Sequence, residues 1–242
     1  MNYLVIDLEM CNVPRDYRSR SYKYANETIQ IGAVLLDEEF KRIGTLSQYV
    51  HPEHGVIDPF IQNLTGIRNS QVKKAPRIEE ALLHMIAWIG DREYKVYAWS
   101  GSDRAQLLHE IKAKKICDEW ILDFVCEARW IDYQDVFVKR FGIERKIGLE
   151  EALGRVEIEP EGRLHDGLDD AVNTGCQAVG GYEKLIDQEC KDKDLLALIT
   201  YLAEEDKAEK ILENQKMIKT PIVRNGKQAT VGYRPDVWKN WK

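Results

Sequence analysis

The chain has 242 residues, of which 44% are hydrophobic and 31% are charged, and its formal net charge is −6. This composition is typical of a globular protein, and no apolar run approaches the roughly 20 residues that a membrane-spanning helix needs. The five cysteines form no Cys-x-x-Cys pair, and their odd number argues against a disulfide framework or a zinc cluster. We therefore expect a cytoplasmic protein with reduced thiols, no secretory signal and no membrane partner.

The first predicted element is a buried strand in the sequence YLVIDLEM, at residues 3 to 10. Its apolar run leads to two carboxylates, Asp7 and Glu9, which share one face because alternate residues of a strand do so. Two ionised acids at this distance repel each other unless a cation lies between them, and oxygen ligands of this kind suit magnesium or manganese. Taken alone, the pair is explained more simply by a strand end that emerges into solvent.

Two more strands and then alternating helices and strands follow along the chain. ETIQIGAVLLD and TLSQYVHP continue the first strand as a β-meander, and IEEALLHMIAWIGD has the apolar spacing of a helix that ends near a glycine. KVYAWSGSD predicts a fourth strand, DRAQLLHEIKAKK a helix, Trp130 and Ile131 a short fifth strand, and DYQDVFVKRFG another helix. This alternation predicts an α/β protein whose mixed sheet is flanked by helices.

The last third of the chain predicts a change of architecture. GLEEAL and DDAVNTGCQAVGGYEKLI indicate two helices, and the loop between them contains EPEGRLHDG. Residues 193 to about 217 have the apolar period of a long amphipathic helix, and PIVRNGKQATVGY predicts a hairpin centred on Asn225 and Gly226. We therefore expect a core domain at residues 1–190 and a helix-plus-hairpin extension at residues 191–242.

Three further residues are candidates for chemistry. Asp103 follows the fourth strand and starts a helix, where an acid ordinarily stabilises the helix dipole. His165 lies in a loop, and Asp170 would lie one turn into the next helix if that helix begins near Asp166. Each residue alone is better explained as a solvated loop residue or a first-turn acid. Chance is a poor explanation for all of these motifs occurring together with the acidic pair of the first strand and the strand I-Q-I-G-A-V.

On these motifs the chain resembles the DEDD-type 3′ to 5′ exonucleases of the ribonuclease H-like fold, in the histidine (DEDDh) subgroup. The resemblance runs through residues 1 to about 186, and LTGI at 64–67 and GLDDA at 167–171 are most similar to the subfamily that trims RNA 3′ ends. In the tyrosine subgroup a tyrosine lies four residues before the last aspartate. Here Asp166 has that place, which favours the histidine subgroup.

The resemblance implies that Asp7, Glu9, Asp103 and Asp170 are metal ligands and that His165 is the general base. Two ions roughly 4 Å apart, magnesium or alternatively manganese, would stabilise the attacking water and the leaving 3′ oxygen of a phosphodiester. Asp7 would bridge both ions, Glu9 and Asp170 would bind the ion of the nucleophile, and Asp103 would act through the second ion. An imidazole suits the base because it exchanges protons near neutral pH.

The resemblance also implies contacts with the substrate and a class of partner. The backbone amide of Met10 would meet the 3′ hydroxyl, and Leu64 and Ile67 would pack against the terminal bases, although core packing explains both aliphatic side chains as well. The expected partner is single-stranded or 3′-overhanging nucleic acid, with RNA favoured over DNA. An end-binding module without activity and an endonuclease are the competing functions, and the oligomeric state stays open.

Two basic and aromatic segments are further candidates for nucleic-acid contacts. RDYRSRSYKY follows the first strand directly, and residues 219 to 242 have a charge of +5, which leaves −11 for residues 1 to 218. An ordinary solvated loop explains the first segment as well. A structural hairpin that buries Trp238 and Trp241 explains the second.

Overall fold

The computed structural model describes residues 1–18, 22–38, 40–156 and 158–175, and further on residues 210, 214, 218, 222–225, 228–231, 235–239 and 241. The chain forms two compact units, Met1–Val179 and Gly180–Lys242. The predicted boundary near residue 190 and the predicted helix from 193 to 217 fall outside the described residues, apart from single positions. Both stay predictions.

A five-stranded mixed sheet forms the centre of the first unit. Its strands are β1 (Asn2–Asn12), β2 (Asn26–Leu36), β3 (Arg42–Tyr49), β4 (Tyr94–Ala98) and β5 (Trp130–Asp132). Their spatial order is β3-β2-β1-β4-β5, so β1 lies in the middle. β2 is antiparallel to β1 and β3, whereas β4 is parallel to β1 and β5. The predicted meander and the predicted mixed sheet are confirmed.

Eight helices accompany this sheet within residues 1–175, leaving aside two 3₁₀ turns at Arg15–Tyr17 and Glu127–Arg129. They are α1 (Pro59–Thr65), α2 (Asn69–Val72), α3 (Ile78–Ile89), α4 (Ser102–Lys114), α5 (Glu119–Phe124), α6 (Tyr133–Arg140), α7 (Leu149–Arg155) and α8 (Gly167–Val172). The apolar spacing did not predict α1, α2 and α5, because helices of four to seven residues are too short to show a periodic pattern.

The central strand β1 is covered on both faces, which explains its nearly continuous apolar run. Leu4, Ile6 and Leu8 belong to a buried cluster with residues of α3 and α4. On the opposite face, Val5 packs with Val34 of β2 and with residues of α8. Since side chains alternate along a strand, the carboxylates at positions 7 and 9 project on the face that Val5 shares with α8.

The second unit is described only in part. It contains the strands β6 (Ile222–Asn225) and β7 (Gln228–Val231), which pair antiparallel, and a short helix, α9 (Pro235–Trp238). Asn225 pairs with Gln228, so the connecting residues are 226 and 227, and the predicted centre of this hairpin was wrong by one position. The Trp238 indole donates a 2.7 Å hydrogen bond to the Thr230 hydroxyl, which favours a structural role for this tryptophan.

Among the described residues, no helix combines the length and the apolar character needed to cross a membrane.

Helix α8 approaches the sheet so closely that the backbone of its first turn contacts the backbone of the sheet directly. A Cβ atom added to Gly32 of β2 would lie 1.9 Å from the carbonyl carbon of Gly167. One added to Gly167 would lie 3.2 Å from the carbonyl oxygen of Asp7. The Gln30 side-chain oxygen also accepts a hydrogen bond of 3.1 Å from the Gly167 amide. These contacts fix the first turn of α8 against β1 and β2.

We expect the substitution Gly32→Ala to lower the free energy of unfolding by about 3 kcal/mol, the upper end of the usual cost of overpacking. The obstacle is backbone of Gly167, which cannot rotate away as a flexible side chain would. Urea denaturation measures the change. Gly154→Ala in α7 is the matched control, because a Cβ there meets no described atom within 4 Å and alanine favours a helix. Equal stability of the two variants would contradict the close packing.

Candidate active site

Three predicted site residues converge where β1 passes the first turn of α8. One ligand atom from each of Glu9, His165 and Asp170 lies within 4.8 Å of the other two. The two carboxylates are buried and the histidine is exposed. This triplet offers two carboxylate groups and one imidazole, a donor set that suits a divalent cation.

The first turn of α8 positions Asp170. The helix begins after Asp166, whose side chain caps it by accepting hydrogen bonds from the amides of Leu168 (3.0 Å) and Asp169 (3.4 Å). This start agrees with the prediction and places Asp170 one turn into the helix. The sequence H-D-G-L-D-D therefore serves as a loop, a cap and a first helical turn in succession.

The loop before α8 holds His165 in an uncommon conformation. Its φ angle is 63°, in the left-handed region that a residue other than glycine rarely adopts. The His165 backbone amide donates a 3.0 Å hydrogen bond to Asp170 Oδ2, which stabilises this conformation. Such strained positions cluster at functional sites, because the surrounding structure must maintain them.

The second carboxylate oxygen of Asp170 provides a test of whether a cation fits. Oδ1 is buried and has no hydrogen-bond partner among the described residues. A buried acceptor without a partner costs roughly 1–3 kcal/mol, and more when it is charged. A cation bound to the triplet would remove this cost, so the donor set and its unsatisfied oxygen fit a metal ion.

The electrostatics of Asp7 and Glu9 lead to the same conclusion. The pKa of Glu9 is raised to about 8. Burial is the largest cause, and the negative charges of Asp170 and Asp166 come next. The pKa of Asp7 also lies well above its ordinary range, first because of burial and then because of its acidic neighbours, Asp103 foremost. The folded chain therefore concentrates more negative charge here than it can stabilise by itself.

Asp103 lies in the first turn of α4, as the sequence predicts, but it does more than stabilise the helix dipole. Its side chain is buried, and its Oδ1 accepts a 3.0 Å hydrogen bond from the backbone amide of Leu8 in β1. Burial is the main cause that raises the pKa of Asp103, to about 6, whereas the Leu8 amide lowers it. The carboxylate thus connects α4 to the strand that carries Asp7 and Glu9.

Asp7 and Asp103 are not members of the triplet, although both contribute charge to it. Asp7 is half-buried and lies opposite Gly32 in the β1–β2 ladder, directly beneath the first turn of α8. The structure therefore brings Glu9, His165 and Asp170 into contact distance of one ion. The bridging of two ions by Asp7 and the role of Asp103 at a second ion stay predictions.

The three residues predicted to contact substrate differ in exposure. Met10 and Leu64 are half-buried, and a bulge separates the pairing of Glu9 from that of Met10 in the β1–β2 ladder. Ile67 is only 2% exposed and packs in a buried cluster with Cys11 and Ile29. Its side chain has almost no exposed surface for a base, which favours the core-packing alternative for Ile67.

The basic segment after β1 offers fewer free aromatic rings than the sequence indicates. Tyr22 is buried, and Tyr24 stacks on His109 with ring centroids 4.1 Å apart. The Arg18 side chain donates to the carbonyl oxygen of Val13. These contacts engage the side chains in local packing, which leaves Tyr22 and Tyr24 less able to stack on bases.

Sequence reasoning missed two residues beside the site, Gln30 and Arg163. Gln30 is buried in β2 and its side-chain nitrogen donates to Ser47 Oγ (3.2 Å) and Asp166 Oδ2 (3.4 Å). A glutamine within an apolar strand needs buried partners, and this signal was available in I-Q-I-G. Arg163 lowers the pKa of Glu9 against the acidic residues, but its place in an irregular loop gave no pattern.

The mixed sheet, the flanking helices and the acidic cluster on its central strand define a ribonuclease H-like exonuclease fold. Residues 4–175 match the exonuclease family, and the chain belongs to that family. The recognition made from the sequence motifs is thereby confirmed. Dependence on divalent metal is a property of this family, and the acidic triplet agrees with it.

Individual relatives agree with this assignment. The chain is 28% identical to human ERI1 exoribonuclease 2 over 72% of its own length, and 28% identical to rat 3′-5′ exoribonuclease 1 over 65%. It spans 27% and 47% of these two proteins, respectively. The nuclease domain of 3′hExo, described as a DEDDh family member bound to rAMP, has the same fold. That structure covers 76% of this chain, and the chain covers 92% of it, with a TM-score of 0.63 and 23% identity.

The raised pKa of Glu9 predicts a stability that depends on pH and metal. Its value of about 8 in the folded protein exceeds its ordinary value of 4.5, so folding retains a proton that unfolding releases. The free energy of unfolding of the metal-free protein should therefore fall as pH rises from about 4.5 to about 8. We expect Tm to decrease by roughly 10 °C or more across this range, because holding a proton between pH 4.5 and about 8 corresponds to several kcal/mol and ~1 kcal/mol corresponds to roughly 2–4 °C at this size.

Thermal unfolding with a chelator, and then with Mg²⁺ or Mn²⁺, measures this effect. The metal should raise Tm more above pH ~8 than below pH ~6, because the metal competes with the proton for Glu9. Glu9→Gln should weaken both dependences, because Asp7, Asp103 and Asp170 keep their own raised pKa values. Glu151→Gln, an exposed acid paired with Arg145, should retain them. A metal-free Tm that rises through this range would contradict the assignment.

Proposed function

We propose that this chain is a divalent-metal-dependent 3′ to 5′ exonuclease that hydrolyses phosphodiester bonds at nucleic-acid 3′ ends, with RNA favoured over DNA. The convergence of Glu9, His165 and Asp170 within 4.8 Å supports this proposal most directly. It combines ligands for a cation with a group that accepts a proton. Hydrolysis at a terminal phosphodiester requires both functions.

The acidic residues hold the metal in this proposal. Glu9 and Asp170 provide ligands from the triplet, Asp7 lies beside them on β1, and Asp103 stands at the start of α4. When bound, two divalent cations, magnesium or alternatively manganese, supply positive charge that stabilises the attacking and the leaving oxygen atoms. Oxygen ligands are those that these hard cations prefer. The Leu8 amide occupies one oxygen of Asp103 and so fixes the direction of the other.

His165 is the general base in this proposal. Its imidazole is exposed, so a proton accepted from water can pass on to solvent. The hydrogen bond from its backbone amide to Asp170 keeps the base and a metal ligand in one rigid unit. The products are a nucleoside 5′-monophosphate and a nucleic acid shortened by one residue, with a new 3′ hydroxyl group.

The preference for RNA rests on the relatives. The human and rat relatives are both named as exoribonucleases, and the bound nucleotide of the solved neighbour is a ribonucleotide. Because the chain spans less than half of those two relatives, their substrates are proposed here only for the shared domain. We expect single-stranded or 3′-overhanging ends as substrates, since a terminal phosphodiester must enter the site without its complementary strand.

Labelled oligonucleotides test the proposed reaction. We expect the protein with Mg²⁺ to release a labelled mononucleotide at once from a 3′-labelled RNA, and to shorten a 5′-labelled RNA one residue at a time. DNA of the same sequence should react more slowly. Asp7→Asn should abolish turnover because it removes charge from the metal site, whereas Asp91→Asn, at an exposed position in the turn before β4, should not.

Each competing function gives a different pattern in this assay. Fragments longer than one residue from the 3′ label would indicate an endonuclease. Tight binding without cleavage in the presence of either metal would indicate an end-binding module. Immediate release of a labelled mononucleotide from the 5′-labelled RNA would indicate degradation in the opposite direction, from 5′ to 3′.

His165→Ala should lower kcat by roughly 10² to 10⁴, the usual effect of losing a general base, while leaving the affinity for nucleic acid nearly unchanged. Single-turnover cleavage and equilibrium binding separate the two quantities. His84→Ala is the matched control, because His84 is an exposed histidine of α3 that pairs only weakly with Glu80. A normal kcat in the folded His165→Ala protein would remove His165 from the mechanism.

A further inference from the structure

Arg163 connects two segments that are distant in the sequence. Its guanidinium Nη2 donates hydrogen bonds to the backbone carbonyl oxygens of Asn63 (2.8 Å) and Leu64 (3.0 Å). Both carbonyl groups belong to the last turn of α1, whereas Arg163 precedes His165 by two residues in the loop before α8. A single exposed side chain therefore joins the end of α1 to the loop of the proposed base.

The carbonyl groups that Arg163 contacts are those that a helix leaves unsatisfied. The last four carbonyls of an α-helix have no amide partner within the helix, and a cation is favourable at this end of the helix dipole. In α1, the amide of Gly66 satisfies the carbonyl of Gln62. Arg163 satisfies the next two carbonyl groups, so the C-terminal end of α1 is capped by a side chain from the loop before α8.

Both ends of this connection are held in place. The Arg163 backbone amide donates a 2.7 Å hydrogen bond to Asp169 Oδ2 in the first turn of α8. At the other end, the guanidinium lies against Gly66, where an added Cβ atom would lie 2.1 Å from Nη1. Gly66 has a φ angle of 76°, so this position requires glycine for its backbone as well.

We propose that Arg163 is a positioning residue that fixes Leu64 relative to His165 and thereby sets the affinity of the site for the terminal nucleotide. This inference rests on the proposed function, in which Leu64 contacts the end of the nucleic acid. The α1 segment carries no other hydrogen bond to the loop 161–166 among the described residues. Loss of Arg163 would leave the position of Leu64 to the weaker constraints of a seven-residue helix.

A double-mutant cycle between Arg163→Ala and Leu64→Ala tests this role. The first readouts are KM and kcat for RNA cleavage. The second is Kd for a short oligoribonucleotide, measured in proteins that also carry His165→Ala so that the RNA is not cut. We expect each single variant to raise KM and Kd about tenfold, Arg163→Ala because Leu64 is no longer held in position and Leu64→Ala because its side chain is removed, with a smaller change in kcat. The double variant should be no weaker than the weaker single variant, because Arg163→Ala acts only through the contact between Leu64 and the nucleotide, which Leu64→Ala already removes.

Arg145→Ala is the matched control, because Arg145 is an exposed arginine that pairs with Glu151. It should leave KM and Kd unchanged. Arg163→Lys should restore part of the affinity, since an ammonium group can reach a carbonyl but lacks the planar shape of a guanidinium. If Arg163→Ala does not fold, as circular dichroism would show, the Arg163→Lys variant takes its place in the cycle.

The outcomes separate this inference from the proposed function. Additive effects, an ineffective Leu64→Ala, or an Arg163→Ala protein that matches the Arg145→Ala control would each overturn the positioning role. A wild-type protein that binds the oligoribonucleotide without cutting it would contradict the proposed function, while the cycle could still be measured through Kd. A wild-type protein that does not bind would overturn both.

Discussion

The site depends on the direct contact between the backbone of α8 and the backbone of β2. Gly32 and Gly167 allow this contact because neither has a side chain, and Gly32 is also the residue that pairs with Asp7. A side chain at Gly32 would collide with the backbone of Gly167 and move the first turn of α8 away from the sheet. The carboxylate of Asp170 could then no longer approach that of Glu9, and the triplet with His165 would separate.

The same contact creates an electrostatic conflict within the folded chain. Burial and mutual repulsion raise the pKa values of Asp7, Glu9 and Asp170, and one buried oxygen of Asp170 has no partner in the described part of the chain. The backbone amide of His165, which donates to Asp170, offsets only part of this cost. A divalent cation bound at the triplet would resolve the conflict, and the stability of this region and its proposed chemistry would then have one common cause.

The sequence was sufficient for the mixed sheet and for the family, because strands with long apolar runs and short spaced motifs are local signals. It was insufficient for distances. Alternation predicted that Asp7 and Glu9 share a face, but only the packing of α8 shows which acids form the triplet. The buried state of Ile67 depends on residues of β1 and β2, and the contacts of Arg163 join segments about a hundred residues apart. No local pattern exists for either.

The buried carboxylates of Glu9 and Asp170 are proposed to bind a divalent cation. Anomalous scattering from Mn²⁺ in crystals of the protein tests this most directly, because it locates the ion without reference to activity. We expect a peak roughly 2.0–2.6 Å from carboxylate oxygens of both residues. Strong peaks only at other sites, with the carboxylates of the triplet unliganded, would contradict it.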